Sequence, residues 1–180
     1  VIPDYPNAEA RGATVRQLVD MQGGIADIFS PERENQPRDR FTSNHAYFEF
    51  VSSLPQRFAP GSRNEYCNGC YVVLGEMIER ITGEPFETYI QRAVLTPASM
   101  TRTGYFNSDH LPANTAIAYM RNEQDAWNVA GEGQGISGSG AGGVYSTATD
   151  LLKFDDALRA GRLLDAQWTA WVLGGDEVAN

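Results

Sequence analysis

The strongest constraint on the fold lies between residues 60 and 85, where a turn leads directly into an apolar helix. Pro60-Gly61 favours a turn, because proline fixes φ and glycine accepts a positive φ. Apolar residues follow with the spacing of one buried helix face, at positions 71, 74, 77, 78 and 81. Gly83 predicts a left-handed end to this helix, and Pro85 prevents its continuation.

Tyr66 and Asn68 lie where the chain enters this helix. A hydroxyl or carboxamide at such a junction is held rigidly and can face a cleft. Asn68 is predicted to be the N-cap. Cys67 would then precede the cap and pack against Val72 as a hydrophobic staple, while Cys70 would be a small buried thiol in the first turn.

Cys67 and Cys70 also form a lone Cys-x-x-Cys pair, which allows a redox pair or half of a zinc site. The two histidines, His45 and His110, make a four-ligand zinc site arithmetically possible. Neither histidine has zinc-finger spacing, and no strand-helix-strand pattern precedes the cysteines, so the structural role is favoured. His45 is predicted to be a surface or capping-turn residue.

The composition and net charge limit which classes of protein this chain can belong to. The 180 residues are 42% apolar and 21% charged, which predicts a single globular domain over 1–180 with its own core. A net charge of −9 argues against nucleic acid as the main partner. No run of 18 apolar residues predicts a membrane span, and no secretory signal is visible. These features leave the compartment open.

Further helices are predicted from caps and apolar spacing. Thr14 and Gln17 form a capping box, Ser43 or Asn44 caps a second helix, and Asp165 caps a last one. Ser146 is predicted to cap a helix that buries four apolar side chains, those of Leu151, Leu152, Phe154 and Leu158. Residues 30–42 are predicted to be a charged loop. Residues 106–135 are predicted to hold at most one short strand, at 116–120, and glycines concentrate between Gly131 and Gly143.

Three stretches carry a resemblance to a known family. The first is Pro-Gly-Ser-x-x-x-Tyr-x-Asn at 60–68, followed by an aliphatic helix that ends Thr-Gly-x-Pro-Phe. The second is Pro-Ala-Ser-Met-x-x-Thr-Gly-Tyr at 97–105, and the third is Ala-Gly-Gly-x-x-Ser-Thr-Ala-x-Asp-Leu at 141–151. Together they resemble the serine β-lactamase and penicillin-binding protein superfamily, closest to class C β-lactamases, D-alanyl-D-alanine carboxypeptidases and related esterases.

The resemblance implies a fold and a chemistry. The fold would be mainly α, the helical domain of a β-lactamase-like α/β fold without most of its antiparallel sheet. The reaction would be acyl transfer from a β-lactam, D-Ala peptide or ester through a Ser-x-x-Lys nucleophile, with no cofactor and no metal. Tyr66 would transfer protons, Asn68 would bind substrate, and the compartment would be periplasmic or extracellular.

The rest of the catalytic set is absent from these residues. Lys153 is the one lysine and has Asp150 three positions before it, so there is no Ser-x-x-Lys, and neither Lys-Thr-Gly nor His-x-Gly occurs. We expect the chain to be the middle of a larger protein and inactive alone. A tyrosine titrates near pH ~10 unless cations favour its phenolate, so Tyr66 should stay a phenol here, explicable as a packed aromatic.

A helical domain without its sheet would leave an apolar face uncovered. Large exposed apolar patches mark protein interaction sites, so a homodimer through this face is expected. The competing function is a non-catalytic binding or interaction module on the same scaffold.

Overall fold

The structure is a computed structural model that describes residues 2–130 and 135–174. Its Cα positions divide the chain into two compact units. Unit 1 comprises residues 1–77 and 106–143, and unit 2 comprises residues 78–105 and 144–180. Gly131 and Gly133 of the glycine-rich stretch lie outside the described residues.

Seven α-helices and two strands are present among the described residues. The helices are α1 (Val15–Val19), α2 (Pro31–Glu34), α3 (Asn44–Ser53), α4 (Asn68–Thr82), α5 (Phe86–Ile90), α6 (Ala148–Arg159) and α7 (Ala166–Val172). A π-helical turn, Gln91–Leu95, follows α5. Strands β1 (Tyr119–Arg121) and β2 (Trp127–Val129) form an antiparallel hairpin. The predicted mainly α chain with little sheet is confirmed, but the prediction of at most one strand in 106–135 is wrong.

The predicted helix starts can be compared with the caps in the structure. The Thr14–Gln17 capping box is present, Ser43 caps α3, and Asp165 caps α7. Ser146 is not the cap of α6. Thr147 holds that position, and its hydroxyl accepts the Asp150 N–H at 3.2 Å. The charged loop at 30–42 contains α2 and a 3₁₀ turn, Arg38–Arg40.

Helix α4 buries the predicted face only in part. Tyr71, Leu74 and Met77 pack against the core as predicted, but Ile81 is 79% exposed. The fully buried side chains lie beside the predicted face, at Val72, Val73 and Glu76. Two glycines explain this shift, because each brings α4 against another segment without room for a Cβ. Gly69 lies against the carbonyl oxygen of Ala26, and Gly75 lies against the side chain of Asn44. The close approach at these glycines, together with the apolar pattern, decides which residues are most deeply buried. The predicted end at Gly83 is confirmed, with φ of +72°.

Asn44 connects three segments of unit 1. Its side chain is 1% exposed. Its Nδ2 donates to the carbonyl of Val72 at 3.2 Å, and its Oδ1 accepts the N–H of Gly140 at 2.9 Å. Both polar atoms are therefore satisfied inside the apolar core, which includes Phe41, Phe50 and Val51.

Unit 2 has a small core and a buried carboxylate. Leu95, Ala98, Met100 and Ala157 form the core. Asp150, 1% exposed, accepts from the Thr103 hydroxyl at 2.9 Å and from Lys153 Nζ at 2.6 Å. The hydrogen bond from Lys153 is the main reason that the pKa of Asp150 lies below its ordinary value.

The predicted apolar face of α6 is largely exposed. Leu158 is buried, but Leu151 and Leu152 are 57% and 62% exposed. On α7, Trp168 and Val172 are 45% and 49% exposed. Within the described part of the chain, no helix has both the length and the apolar character needed to cross a membrane.

Candidate functional site

The junction before α4 is held by backbone hydrogen bonds to the segment after α1. The Gly61 N–H donates to the carbonyl of Gln22 at 2.8 Å, and the Glu65 N–H donates to that of Met21 at 3.1 Å. Gly61 has φ of +80°, as the Pro60-Gly61 turn predicts. Residues 61–65 are thereby fixed against the chain that leads to Asp27, and Tyr66 follows directly.

Tyr66 presents its side chain to solvent. It is 65% exposed, so the prediction of a packed aromatic is wrong. Among the described residues, its hydroxyl has no hydrogen-bond partner and no cation is paired with it. The phenol is therefore accessible to another molecule or segment.

Asn68 is the first residue of α4 and is 8% exposed. Its Nδ2 lies 3.1 Å from both carboxylate oxygens of Asp27, and its backbone N–H lies 3.4 Å from Asp27 Oδ2. The predicted N-cap role of Asn68 is corrected accordingly. Its side chain donates to Asp27, and the Asp27 carboxylate accepts at the start of the helix, where the helix dipole favours a negative charge.

Cys67 and Cys70 form a disulfide across the first turn of α4. This corrects the prediction of a thiol staple and a buried thiol, because the two sulfurs are bonded to each other. Both residues are buried, at 2% and 0% exposure. Sulfurs joined in this way are not zinc-ligating thiolates. The bond spans Asn68, so it adds a covalent constraint on the residue at the centre of the candidate site.

His45 does not belong to this junction. Its Nδ1 lies 2.9 Å from Oε2 of the buried Glu76, so the imidazole gives that carboxylate a polar partner. The structure thus places Tyr66 and Asn68 together at the start of α4, with Asp27 beside them.

Sequence reasoning did not identify Asp27. The residue is 41 positions from Asn68 and belongs to no spacing pattern that links the two. The only local signal is its Asx turn, in which Oδ1 accepts the Phe29 N–H at 2.9 Å. The two are brought together because Gly69 lets the first turn of α4 approach the backbone at Ala26.

The chain belongs to the Beta-lactamase family, since the family model of that description matches residues 1–173. Members of this family are serine hydrolases. Penicillin-binding protein 4* of Bacillus subtilis (strain 168) is 25% identical over 172 residues, covering 87% of this chain and 37% of that protein.

Two solved structures extend this similarity to the fold. The penicillin-binding protein from Bacillus halodurans superposes with a TM-score of 0.87 at 28% identity, covering 100% of this chain and 56% of that one. A D-amino acid amidase from Ochrobactrum anthropi SV3 superposes with a TM-score of 0.74 at 25% identity, covering 93% of this chain and 50% of that one. The chain therefore spans between about a third and about a half of the length of these relatives.

Proposed function

We propose that this chain forms one wall of the active site of a serine acyl hydrolase. Tyr66 transfers protons and Asn68 binds substrate, while the Ser-x-x-Lys nucleophile lies on polypeptide outside these 180 residues. The observation that carries the proposal is the junction itself. An accessible phenol stands two residues before a carboxamide that a carboxylate and a disulfide hold in place.

The single lysine of the chain, Lys153, is engaged within unit 2. Lys153 Nζ donates to Asp150 at 2.6 Å and to the carbonyl of Ser99 at 2.9 Å, all in unit 2. In this proposal the lysine of the Ser-x-x-Lys motif is the cation that favours proton transfer by Tyr66. The 180-residue chain alone is therefore proposed to be inactive. The substrates are carbonyl compounds of the β-lactam, D-Ala peptide or ester class.

Kinetics of the complete gene product test this proposal. Hydrolysis of nitrocefin, p-nitrophenyl acetate and a peptide ending in D-Ala-D-Ala would be followed in wild type, Tyr66→Phe and Asn68→Ala. Tyr119→Phe is the matched control, because Tyr119 on β1 is also exposed, at 58%. We expect both site variants to lose about 100-fold or more in kcat/KM on the substrate that is turned over. Absence of turnover by the complete wild type on every substrate would favour a non-catalytic binding module instead.

The exposed apolar side chains of α6 and α7 support a second part of the proposal. Leu151 and Leu152 on α6, and Trp168 on α7, expose large apolar area within unit 2. We propose that two copies of the 180-residue chain associate through this surface. Sedimentation of Leu151→Ser/Leu152→Ser beside wild type tests it. The variant should be a monomer at a concentration where wild type is a dimer, and a monomeric wild type would refute dimerisation.

A further inference from the structure

We propose that Asp27 is a positioning residue that sets the direction of the Asn68 carboxamide and presents its Oδ1 as a hydrogen-bond acceptor. The inference rests on the proposed function for its catalytic consequence. The direction of the amide, however, can be tested without any turnover.

The contact between Asn68 and Asp27 determines which way the Asn68 amide faces. An ionised carboxylate only accepts hydrogen bonds, so the group of Asn68 that faces it must be the NH₂. Nδ2 lies 3.1 Å from each Asp27 oxygen. If the amide were rotated by 180°, Oδ1 would face the two carboxylate oxygens of Asp27. All three atoms are hydrogen-bond acceptors, so they would repel one another. The carbonyl of Asn68 therefore points away from Asp27.

Asp27 is itself held in place. Its Oδ1 accepts the Phe29 N–H at 2.9 Å, and the preceding residue, Ala26, lies against Gly69. The Asn68 backbone is constrained in turn by the disulfide on either side of it. Main-chain geometry thus fixes where the Asn68 side chain starts, and Asp27 fixes which way its amide faces.

This direction defines what Asn68 can recognise. With an N–H of Nδ2 engaged by Asp27, the outward Oδ1 accepts from an N–H or ammonium group. Suitable donors are the lysine ammonium of the proposed nucleophile motif or an amide N–H of the substrate. Without Asp27 the Asn68 carboxamide could rotate about its Cβ–Cγ bond. In conformers with Oδ1 turned inward, the site has lost its hydrogen-bond acceptor.

The test combines side-chain NMR with kinetics on the complete protein. The protein is labelled with ¹⁵N-asparagine, and the Asn68 side-chain signals are assigned by their loss in Asn68→Ser. Wild type should give an Asn68 NH₂ proton that is shifted downfield and exchanges slowly with solvent, because the charge-assisted hydrogen bond to Asp27 deshields and protects it. Asp27→Ala should move this signal upfield and speed its exchange with solvent. Asp27→Asn should keep part of the shift and protection, because its own Oδ1 can accept from Nδ2. Asp39→Asn removes an exposed carboxylate and serves as the control.

Kinetics then separate positioning from a purely structural role. Asp27→Ala should lower kcat/KM by about 100-fold, Asp27→Asn should restore most of the loss, and Asp39→Asn should match wild type. Unchanged Asn68 signals in Asp27→Ala would overturn the inference whatever the activity. Changed signals with wild-type kcat/KM would also overturn it. A complete wild-type protein without turnover would refute the proposed function, whereas the NMR comparison would still decide the direction of the amide.

Discussion

Replacing Gly75 by alanine should destabilise unit 1 even though alanine is the better helix former. A Cβ at position 75 would lie 2.5 Å from Oδ1, 2.7 Å from Cγ and 2.8 Å from Nδ2 of Asn44. Real Cβ atoms do not approach other heavy atoms so closely, so Asn44 must move. It is 1% exposed and has no open space to enter.

The expected loss in the free energy of unfolding follows from the hydrogen bonds and the packing of Asn44. Its two hydrogen bonds, to the carbonyl of Val72 and from the N–H of Gly140, contribute about 1 kcal/mol each. Overpacking adds about 2 kcal/mol, and the helix propensity of alanine returns about 1 kcal/mol. The expected net loss in the free energy of unfolding is about 3 kcal/mol, which corresponds to roughly 9 °C in Tm for a chain of this length.

Thermal and urea unfolding followed by circular dichroism measure this difference. Gly12→Ala is the matched control, because a Cβ there meets nothing within 4 Å, and its effect should stay within about 0.5 kcal/mol. The double variant Asn44→Ala/Gly75→Ala should lose less than the sum of the single variants, since alanine at 44 makes room for the new methyl group. A Gly75→Ala protein as stable as wild type would refute this account of helix α4.

Three further outcomes are expected. Ser99 has φ of 58°, a left-handed conformation that glycine adopts without steric cost, so Ser99→Gly should raise the free energy of unfolding by about 1 kcal/mol in urea titrations, and a loss would contradict this. The depressed pKa of Asp150 means that its bond to Lys153 stabilises the fold above pH ~4 and is lost as pH falls through the lower folded pKa. The Tm gap between wild type and Asp150→Asn should therefore shrink from pH 7 to pH 3, and a constant gap would count against it. Thiol titration of the unfolded protein should find free Cys67 and Cys70 only after reduction, and reduction should cost about 2 kcal/mol because the closed loop is short.

Local signals predicted three helix starts and one helix end correctly, whereas the caps predicted at Asn68 and Ser146 are wrong. The Thr14 capping box, the Ser43 and Asp165 caps and the left-handed Gly83 are each decided by a few adjacent residues. Such features depend on side-chain reach and backbone sterics, which one short window of sequence contains. The assignment of Tyr66 and Asn68 as site residues stays a prediction.

Features that depend on distant residues were missed. The most deeply buried side of α4 is where Gly69 and Gly75 meet segments far away in sequence, and an apolar count along the helix contains no such information. Asp27 was missed for the same reason, being paired with Asn68 across the fold. The exposed Leu151 shows the converse error, because an apolar position was assumed to be buried whether or not a partner surface is present.

The central claim is that Tyr66 and Asn68 face a serine nucleophile located outside these 180 residues. Its most direct test is intact-mass spectrometry of the complete protein after reaction with a penicillin or an activated ester, followed by peptide mapping of the adduct. We predict one acyl group on a serine beyond this chain, formed about 100-fold more slowly in Tyr66→Phe. An adduct on a serine within the 180 residues, or one formed equally fast without the Tyr66 hydroxyl, would contradict the account.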